Sequence, residues 1–298
     1  MAAFKRWLIA GIGVAWAALP AAPQAAPLAM VDDFSGTCGT ILVCAGNAEV
    51  VGAVLRLTPA APTQSGAAWL AVPVNLTPGT GFVSSFKFRM HGGGGAESAD
   101  GLAFLLAADP TSLGHPDRYG GSMGFEGVTR TLAVEFDSFK NGEDASSNHV
   151  AIDRNGVLTN EAASNPYGVA ECGFGVGITT PGCLSDGNVW TATVAYDGED
   201  GTLGVTVRDG DAAVRQAING YAVDLQALLG GTQAYVGFAA GTGDGFQNHD
   251  LLGWRFALTD GGDGSSKTGD EVTVAEPASA AALLAGLLGL AGLRRRRD

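Results

Sequence analysis

Residues 134–153 join a strand-like run to a loop that is rich in oxygen donors, and this segment limits the fold more than any other. Five side chains that commonly bind metal ions lie within it: Glu135, Asp137, Asn141, Asp144 and His149. Because alternate residues of a strand point to the same face, Glu135 and Asp137 emerge side by side. Carboxylates at that spacing repel each other unless a cation or a proton lies between them. The segment therefore predicts a loop that folds back over a strand end around a cation.

The donor types indicate which ions this cluster would take. Carboxylate, amide and carbonyl oxygens suit Ca²⁺, and an added imidazole suits a transition ion such as Mn²⁺. Glu143 lies beside the cluster as a spare carboxylate. The alternative interpretation is structural, since acidic loops also occur as solvated turns and Glu-x-Asp also occurs on exposed strands.

The chain between its two ends has the pattern of an all-β protein. It is rich in glycine (46 of 298 residues) and only 16% charged, as expected for short strands joined by tight turns. Residues 101–107 form a continuous apolar run, typical of a strand buried on both faces. Residues 190–196 and 203–208 flank a turn and predict a hairpin. Further strands are predicted at 81–90, 131–139, 234–239 and 254–257.

Two segments depart from this strand pattern. Residues 220–229 favour a short helix, and the glycine run at 92–95 predicts a loose loop. Trp190 and Trp254 fall within strand patterns and are expected in the core. The class that follows is two sheets packed face to face.

The formal net charge of −13 excludes some partners. The cationic Lys5, Arg6 and residues 294–297 lie at the two ends, so the central part is more negative still. Such a surface repels DNA, RNA and anionic membranes, and nucleic-acid partners are not expected. Solubility in an external medium accounts for much of this acidity.

The four cysteines indicate an oxidising compartment. Cys38 and Cys44 bracket one short segment, and Cys172 and Cys183 bracket another. Three pairings are possible in principle, and the two local ones are the simplest. A zinc site is the alternative, but no cysteine pair has the two-residue spacing of such sites.

The first and last segments carry targeting signals. Residues 1–29 read as a secretory signal peptide, because Lys5 and Arg6 precede an apolar run that is too short for a membrane anchor. Residues 261–275 form a Gly/Ser linker between a domain at 30–260 and a tail at 276–298.

The tail has an apolar stretch that ends at Leu293 and is followed by four arginines, which mark the cytoplasmic side. It resembles the PEP-CTERM sorting tail of Gram-negative bacteria, with Ala275 in place of the first proline. The resemblance implies transient membrane attachment, cleavage by an exosortase and delivery to the cell surface or extracellular matrix. A plain C-terminal membrane anchor is the alternative.

Four motifs occur in the order found in legume-type lectins. They are Ala99-Asp-Gly-Leu-Ala-Phe-Leu-Leu106, Gly120-Gly-Ser-Met-Gly124, Val134-Glu-Phe-Asp-Ser-Phe-Lys-Asn141 and Asn148-His-Val-Ala-Ile-Asp153. With its flanking strands the resemblance spans residues 31–259. It implies the concanavalin-like jelly-roll β-sandwich.

The resemblance also implies the ligands of two ions. The Mn²⁺ ligands would be Glu135, Asp137, Asp144 and His149. The Ca²⁺ ligands would be Asp137, the Phe139 carbonyl, Asn141 and Asp144.

A carbohydrate-binding site follows from the same resemblance. Sugar would be held by Asp100, the Gly121 amide and Asn141, with the Phe139 ring stacked on the pyranose. A cis peptide between Ala99 and Asp100 would aim the carboxylate at the sugar. These residue types suit the task, because a carboxylate accepts from two hydroxyls and an aromatic face covers the C–H patch of a sugar.

The loop at 241–248 is where the family varies its sugar contacts, and Asp244 and Gln247 are candidates for such contacts. The other three histidines are predicted to lie at the surface or behind site residues: His91, His115 and His249.

The leading hypothesis is a non-enzymatic, calcium-dependent lectin of the bacterial surface, with its sugar and its self-association left open. A glycoside hydrolase on the same sandwich is the first alternative. Related β-glucanases use Glu-x-Asp-x-x-Glu on one strand, but Lys140 occupies the position of the last carboxylate. A structural matrix protein with a decayed lectin site is the second.

Overall fold

The structure is a computed structural model that describes residues 29–95, 97–169, 172 and 178–259. The predicted signal peptide, apart from residue 29, lies outside these residues, as do the predicted linker and sorting tail. Within the described ranges, no helix has the length and apolar character needed to cross a membrane.

Strands make up most of the described chain. In order they are β1 Ala29–Val31, β2 Leu42–Gly46, β3 Glu49–Val51, β4 Val54–Thr58, β5 Gln64–Leu70, β6 Val74–Asn75, β7 Gly81–Gly94, β8 Gly101–Ala107, β9 Thr131–Asp137, β10 His149–Arg154, β11 Val157–Ser164, β12 Trp190–Asp197, β13 Thr202–Asp209, β14 Arg215–Ala222, β15 Gln233–Thr242 and β16 Phe246–Thr259. A 3₁₀ helix covers Gly120–Ser122, and one α-helix, α1, covers Leu225–Leu229.

The strands form two sheets, and each pairing between them is antiparallel. The back sheet has the order β14-β13-β12-β7-β16-β4-β3, with β1 also on β16. The front sheet has the order β11-β10-β9-β8-β15-β5-β2, with β6 also on β15. The predicted all-β sandwich is confirmed.

Aromatic rings from both sheets fill the space between them. The Phe86 ring of the back sheet lies 4.9 Å, centroid to centroid, from Phe238 and 5.6 Å from Phe136 of the front sheet. Trp190 and Trp254 are each 1% exposed, as predicted. Full burial of such side chains is worth about 1.5–3 kcal/mol each, so this layer is the main source of stability.

A second, smaller core covers the outer face of the front sheet. Leu105 points outward from β8 and packs in one cluster with Met123 and Phe125 of the loop that follows β8, whereas Phe104 points into the main core. Strand β8 is therefore buried on both faces, as its continuous apolar run predicted. This arrangement holds the 3₁₀ helix above the front sheet.

The predicted helix at 220–229 is only partly correct. Strand β14 continues to Ala222, and α1 begins after Asp224, whose side chain accepts a hydrogen bond from the Ala227 N–H. Gly230 ends the helix at a φ of 72°, a conformation that favours glycine.

The predicted loose loop at 92–95 is wrong for its first three residues, which extend β7 as far as Gly94, the partner of Phe246 on β16. A side chain at Gly94 would overlap the Phe246 ring, so glycine permits the close approach of the strands. Both local disulfides are confirmed, Cys38–Cys44 and Cys172–Cys183.

Candidate functional site

The acidic cluster lies on the outer face of the front sheet, where β9 ends and β10 begins. Asp137 is paired with His149 across these strands, and Glu135 lies between Ala103 of β8 and Ala151 of β10. These small neighbours leave room for the carboxylate and for the returning loop. The loop from 138 to 148 brings Asp144 back over the strand end, as the sequence predicted.

Three of the predicted ligands converge on one point. The His149 Nε2 atom lies 3.2 Å from Glu135 Oε1 and 3.5 Å from Asp144 Oδ1, and each side chain is only 4% exposed. One ligand atom from each residue lies within 4.8 Å of the others. His149 Nδ1 lies 3.0 Å from the Ser146 carbonyl, which only accepts, so Nδ1 carries a proton. When the ring is protonated Nε2 donates to Glu135, and in the neutral ring the Nε2 lone pair would be available to a metal ion held between these carboxylates.

The remaining predicted ligands belong to the same turn. Asp137 is 2% exposed, and its Oδ1 accepts a hydrogen bond from the Phe139 N–H at 2.7 Å. The Asn141 N–H donates to Asp144 Oδ2 at 2.6 Å. Backbone N–H groups of the turn therefore orient the carboxylates of Asp137 and Asp144.

The crowding of these carboxylates perturbs their proton affinities. Burial, together with the charges of Glu135 and Asp144, raises the pKa of Asp137 well above its usual value. Burial lowers the pKa of His149, but its hydrogen bond to Glu135 and the surrounding negative charge outweigh this, and the net shift is upward. Both shifts show an excess of buried negative charge, which a divalent cation would neutralise. The donor set fits Ca²⁺ and Mn²⁺.

Two further residues of this cluster were missed at the sequence level. Asn160 adopts a φ of 50° in β11, and its side-chain amide donates to Asp144 Oδ1 at 2.7 Å. Asp153 is 1% exposed, and burial together with the charge of Glu135 raises its pKa to about 8. Asp153 is the last residue of the motif at 148–153, so its position in the sequence could have pointed to it. Asn160 reaches the cluster because β10 and β11 pair irregularly, and no sequence pattern predicts that irregularity.

Asp100 lies in a buried position beside the cluster, immediately before β8. The Ala99–Asp100 peptide is cis, as the family resemblance implied. The Asp100 carbonyl accepts hydrogen bonds from the Ser138 N–H at 2.9 Å and from the Ser138 hydroxyl at 2.7 Å. The carboxyl group is 4% exposed, and its Oδ2 has no hydrogen-bond partner. An unpartnered buried acceptor of this kind suits a ligand hydroxyl.

The same carboxyl group has a raised pKa. Burial raises the pKa of Asp100 to about 7, the Gly243 N–H opposes this shift, and the charge of Asp144 adds to it. Asp100 is therefore poised to change protonation state near neutral pH.

Gly121 and Asn141, two other predicted sugar contacts, line an open cleft of about 540 Å³. A Cβ atom on Gly121 would lie 2.7 Å from Asn141 Oδ1, so the backbone approaches the amide closely only because glycine is present. A Cβ atom on the adjacent Gly120 would lie 3.9 Å from Asp100 Oδ2. The structure thus brings Asp100, Gly121 and Asn141 together. Phe139 is half-buried in the adjoining turn.

The expectation for Gln247 is wrong in this structure. Gln247 is fully buried, and its Nε2 donates to the Ser138 hydroxyl at 2.7 Å. It therefore supports the residue that holds the Asp100 carbonyl and does not face a ligand. Asp244, by contrast, is exposed on the loop between β15 and β16.

The expectation for the histidines also needs correction at one position. His249 is fully buried in β16, where Nδ1 lies 2.6 Å from the Thr58 hydroxyl. His115 is exposed, and His91 is part-buried with Nε2 2.8 Å from Asp250.

Comparison with known proteins identifies the fold and its family. Residues 31–272 match the model of the legume lectin domain. The galactose-binding lectin of Arachis hypogaea is 28% identical over 72% of this chain and 71% of its own length. Peanut lectin with a 9-mer peptide superposes with a TM-score of 0.64 at 26% identity, over 77% of this chain and 96% of that one.

A plant receptor kinase is similar over the same region. The L-type lectin-domain containing receptor kinase VIII.1 of Arabidopsis thaliana is 27% identical over 80% of this chain, which spans only 33% of that protein. The shared part is the lectin domain of that receptor kinase and not its kinase domain, and the other two proteins are lectins. The match over 31–272 and the matching sandwich together show that this chain belongs to the legume lectin domain family.

Proposed function

We propose that this protein is a calcium-dependent lectin, with Asp100 as the residue that selects a sugar through its hydroxyl groups. The observation that carries the proposal is the unpartnered Oδ2 of Asp100, buried beside Gly121, Asn141 and the acidic cluster. A buried acceptor without a donor costs about 1–3 kcal/mol, and two ligand hydroxyls would recover that cost.

The residues of the cluster fall into two overlapping ligand sets. Asp137, the Phe139 carbonyl, Asn141 and Asp144 would hold Ca²⁺, whereas Glu135, Asp137, Asp144 and His149 would hold Mn²⁺. The ions would supply positive charge to this buried acidic turn. Asn160 and Asp153 support the second set through their contacts with Asp144 and with the β11 backbone.

The sugar contacts follow from the donors and acceptors at hand. The Asp100 carboxylate accepts from two adjacent hydroxyls, and the Gly121 N–H and the Asn141 amide donate to sugar oxygens. Phe139 offers a ring to the apolar face of the pyranose. Charge-assisted hydrogen bonds are worth about 1.5–3 kcal/mol each, so a single site should bind with a Kd of roughly millimolar to micromolar.

Residues 1–29 and 276–298 support the proposal that the lectin is exported to the surface or matrix of a Gram-negative bacterium. Many copies on one surface would raise the effective affinity for a multivalent glycan without any new contact. Single-site weakness is therefore compatible with firm attachment.

A glycan array, probed with and without Ca²⁺, tests the function. We expect binding to a subset of glycans, with galactosides included because one relative is a galactose-binding lectin. Chelation and Asp100→Ala should each abolish the signal, while Asp211→Ala, which removes an exposed carboxylate from the turn between β13 and β14, serves as the matched control. Binding that survives both chelation and Asp100→Ala would contradict the proposal.

A further inference from the structure

The outer face of the back sheet carries positive charge in a protein that is strongly negative. The described residues contain ten lysines and arginines, and five of them lie on this face against a net charge of −13 for the whole chain. They are Arg56, Lys87, Arg89, Arg208 and Arg255. If these cationic residues served only solubility, we would expect them to be spread over the whole surface. Their concentration on one sheet face therefore indicates a role for that face.

Strand pairing places four of these residues in a row. Lys87 pairs with Thr191, which pairs with Arg208, so the two cations are separated by two strand spacings of about 4.8 Å each. Arg89 lies two residues beyond Lys87 on β7 and pairs with Asp250, which pairs with Arg56. We call Arg208, Lys87, Arg89 and Arg56 the basic row.

The basic row crosses five neighbouring strands, β13-β12-β7-β16-β4. Four strand spacings give it a length of about 20 Å. The alternation of β7 confirms the direction of the side chains, because Phe86 and Phe88 are buried in the core while Lys87 is exposed on the opposite face. Its cations are therefore presented to solvent along one diagonal.

Acidic partners lie at one end of the basic row, where Asp250 contacts Arg56 and Arg89 and where Glu49 of β3 pairs with Arg56. Asp250 is fully buried and holds Arg56 through two hydrogen bonds of 2.7 and 2.9 Å, and it also contacts His91 at 2.8 Å. Arg89 is 3.9 Å from the same carboxylate. Within the described residues, Lys87 and Arg208 form no ion pair. One buried carboxylate thus contacts two arginines and a histidine, while the other half of the row is left without an acidic partner in the described part of the chain.

We propose that the basic row binds an acidic polysaccharide, a chain of sugars that carry carboxylate groups. Two strand spacings approximate the length of a disaccharide, so alternate carboxylates of an extended chain with one carboxylate on each sugar can meet Arg208, Lys87 and Arg56 in turn. Thr191, part-exposed between Arg208 and Lys87, and Thr206, part-exposed beside Arg208, offer hydroxyls to sugar oxygens. This surface belongs to the back sheet, whereas Asp100 and the acidic cluster belong to the front sheet.

Charge complementarity favours this occupant over other polyanions. Duplex DNA and anionic bilayers present dense negative charge, which the net charge of the protein repels over the screening length of the solution. A polyuronate spaces its carboxylates more widely than duplex DNA spaces its phosphates, so the same local pairs form with less of that repulsion.

Binding of the whole chain to polygalacturonate, with fully methyl-esterified polygalacturonate as the neutral probe, tests this inference. The test variant is Lys87→Gln/Arg89→Gln/Arg208→Gln. The control is Arg130→Gln/Arg154→Gln/Arg215→Gln, which removes the same charge from residues outside the basic row. Circular dichroism and thermal melting establish that both variants fold, and Asp100→Asn separates this surface from the sugar site.

We expect the wild type to bind polygalacturonate at low ionic strength, to bind less tightly as salt is added, and to ignore the ester. An exposed charge pair is worth a factor of about two to five, so the triple variant should bind at least tenfold more weakly. The control variant and Asp100→Asn should bind normally. Equal losses in the two triple variants, equal binding of the ester, absence of wild-type binding, or equally tight binding of duplex DNA would each overturn the inference.

Discussion

Sugar affinity should depend on pH through the buried carboxyl group of Asp100. Burial raises the pKa of Asp100 from 3.8 to about 7, and the charge of Asp144 contributes to this shift. Only the ionised carboxylate can accept from two sugar hydroxyls, so the apparent Kd rises as the carboxyl group takes up a proton. Below its midpoint the affinity should fall about tenfold for each pH unit.

The acidic cluster determines where that midpoint lies. A cation beside Asp144 would cancel the charge that raises the Asp100 pKa, so the loaded protein should show a midpoint below 7 and above 3.8. Without sugar, the raised pKa means that between pH 3.8 and pH 7 the Asp100 carboxyl group is more often protonated in the native state than in the unfolded chain. Ionisation of Asp100 therefore costs stability as the pH rises through this window, by about 4 kcal/mol at its end in the ion-free protein. Sugar hydroxyls that donate to Oδ2 would offset part of this cost.

Isothermal titration measures the Kd of the sugar and the number of protons released when it binds. The sugar would be the one ranked first on a glycan array, and the titrations would run from pH 5 to pH 8 in buffers of different ionisation enthalpy. We expect proton release on binding near the midpoint. Asp100→Asn should flatten the pH profile and weaken binding at pH 8 by about ten- to hundredfold, equivalent to one charge-assisted hydrogen bond. Asp211→Asn, on the exposed turn between β13 and β14, is the control for loss of charge. A flat wild-type profile, or a slope that survives in Asp100→Asn, would refute the argument.

Three other predictions concern the ions and the core. Chelation should lower the melting temperature, because ions at a hundred times their Kd stabilise a fold by about 2.7 kcal/mol; calorimetry that shows no change contradicts this. His149→Gln should weaken Mn²⁺ binding measured by electron paramagnetic resonance and leave Ca²⁺ binding in calorimetry nearly unchanged; equal loss of both ions would be inconsistent with the ligand sets. Burial lowers the pKa of His249 to about 3, so its contribution to stability is complete above 6.5 and is lost as the pH falls toward 3. In urea unfolding, the change in stability between pH 7 and pH 5 should therefore be about 2 kcal/mol less favourable for the wild type than for His249→Gln, because the other groups titrate alike in both proteins; equal pH dependences would be evidence against this.

The parts of the site that are local in sequence could be predicted from sequence. Glu135 and Asp137 share a strand face by simple alternation, and the loop that returns Asp144 is only a few residues long. The continuous apolar run of β8 also identified a strand with neighbours on both faces. In each case the structure depends on residues that are close in the chain, so it can be predicted from residue types and their spacing.

The errors concern contacts between distant segments. Gln247 and His249 face the interior because β16 pairs with β7 and β4, and Gln247 reaches Ser138, more than a hundred residues earlier in the chain. A polar residue in a predicted loop gives no sign of such a partner. The glycine run after β7 misled for the same reason, since its strand conformation depends on the approach of Phe246.

Those distant contacts connect the two halves of the site. Ser138 follows Asp137 directly, and its backbone and hydroxyl both donate to the Asp100 carbonyl, while Gln247 donates to that hydroxyl. An interaction that fixes the end of β9 therefore also fixes Asp100, the residue that we propose binds the sugar. Neutralisation of the acidic turn and presentation of the Asp100 carboxylate are thus coupled through one serine. This coupling gives a physical reason why sugar binding should require the ions although Asp100 is not among their predicted ligands.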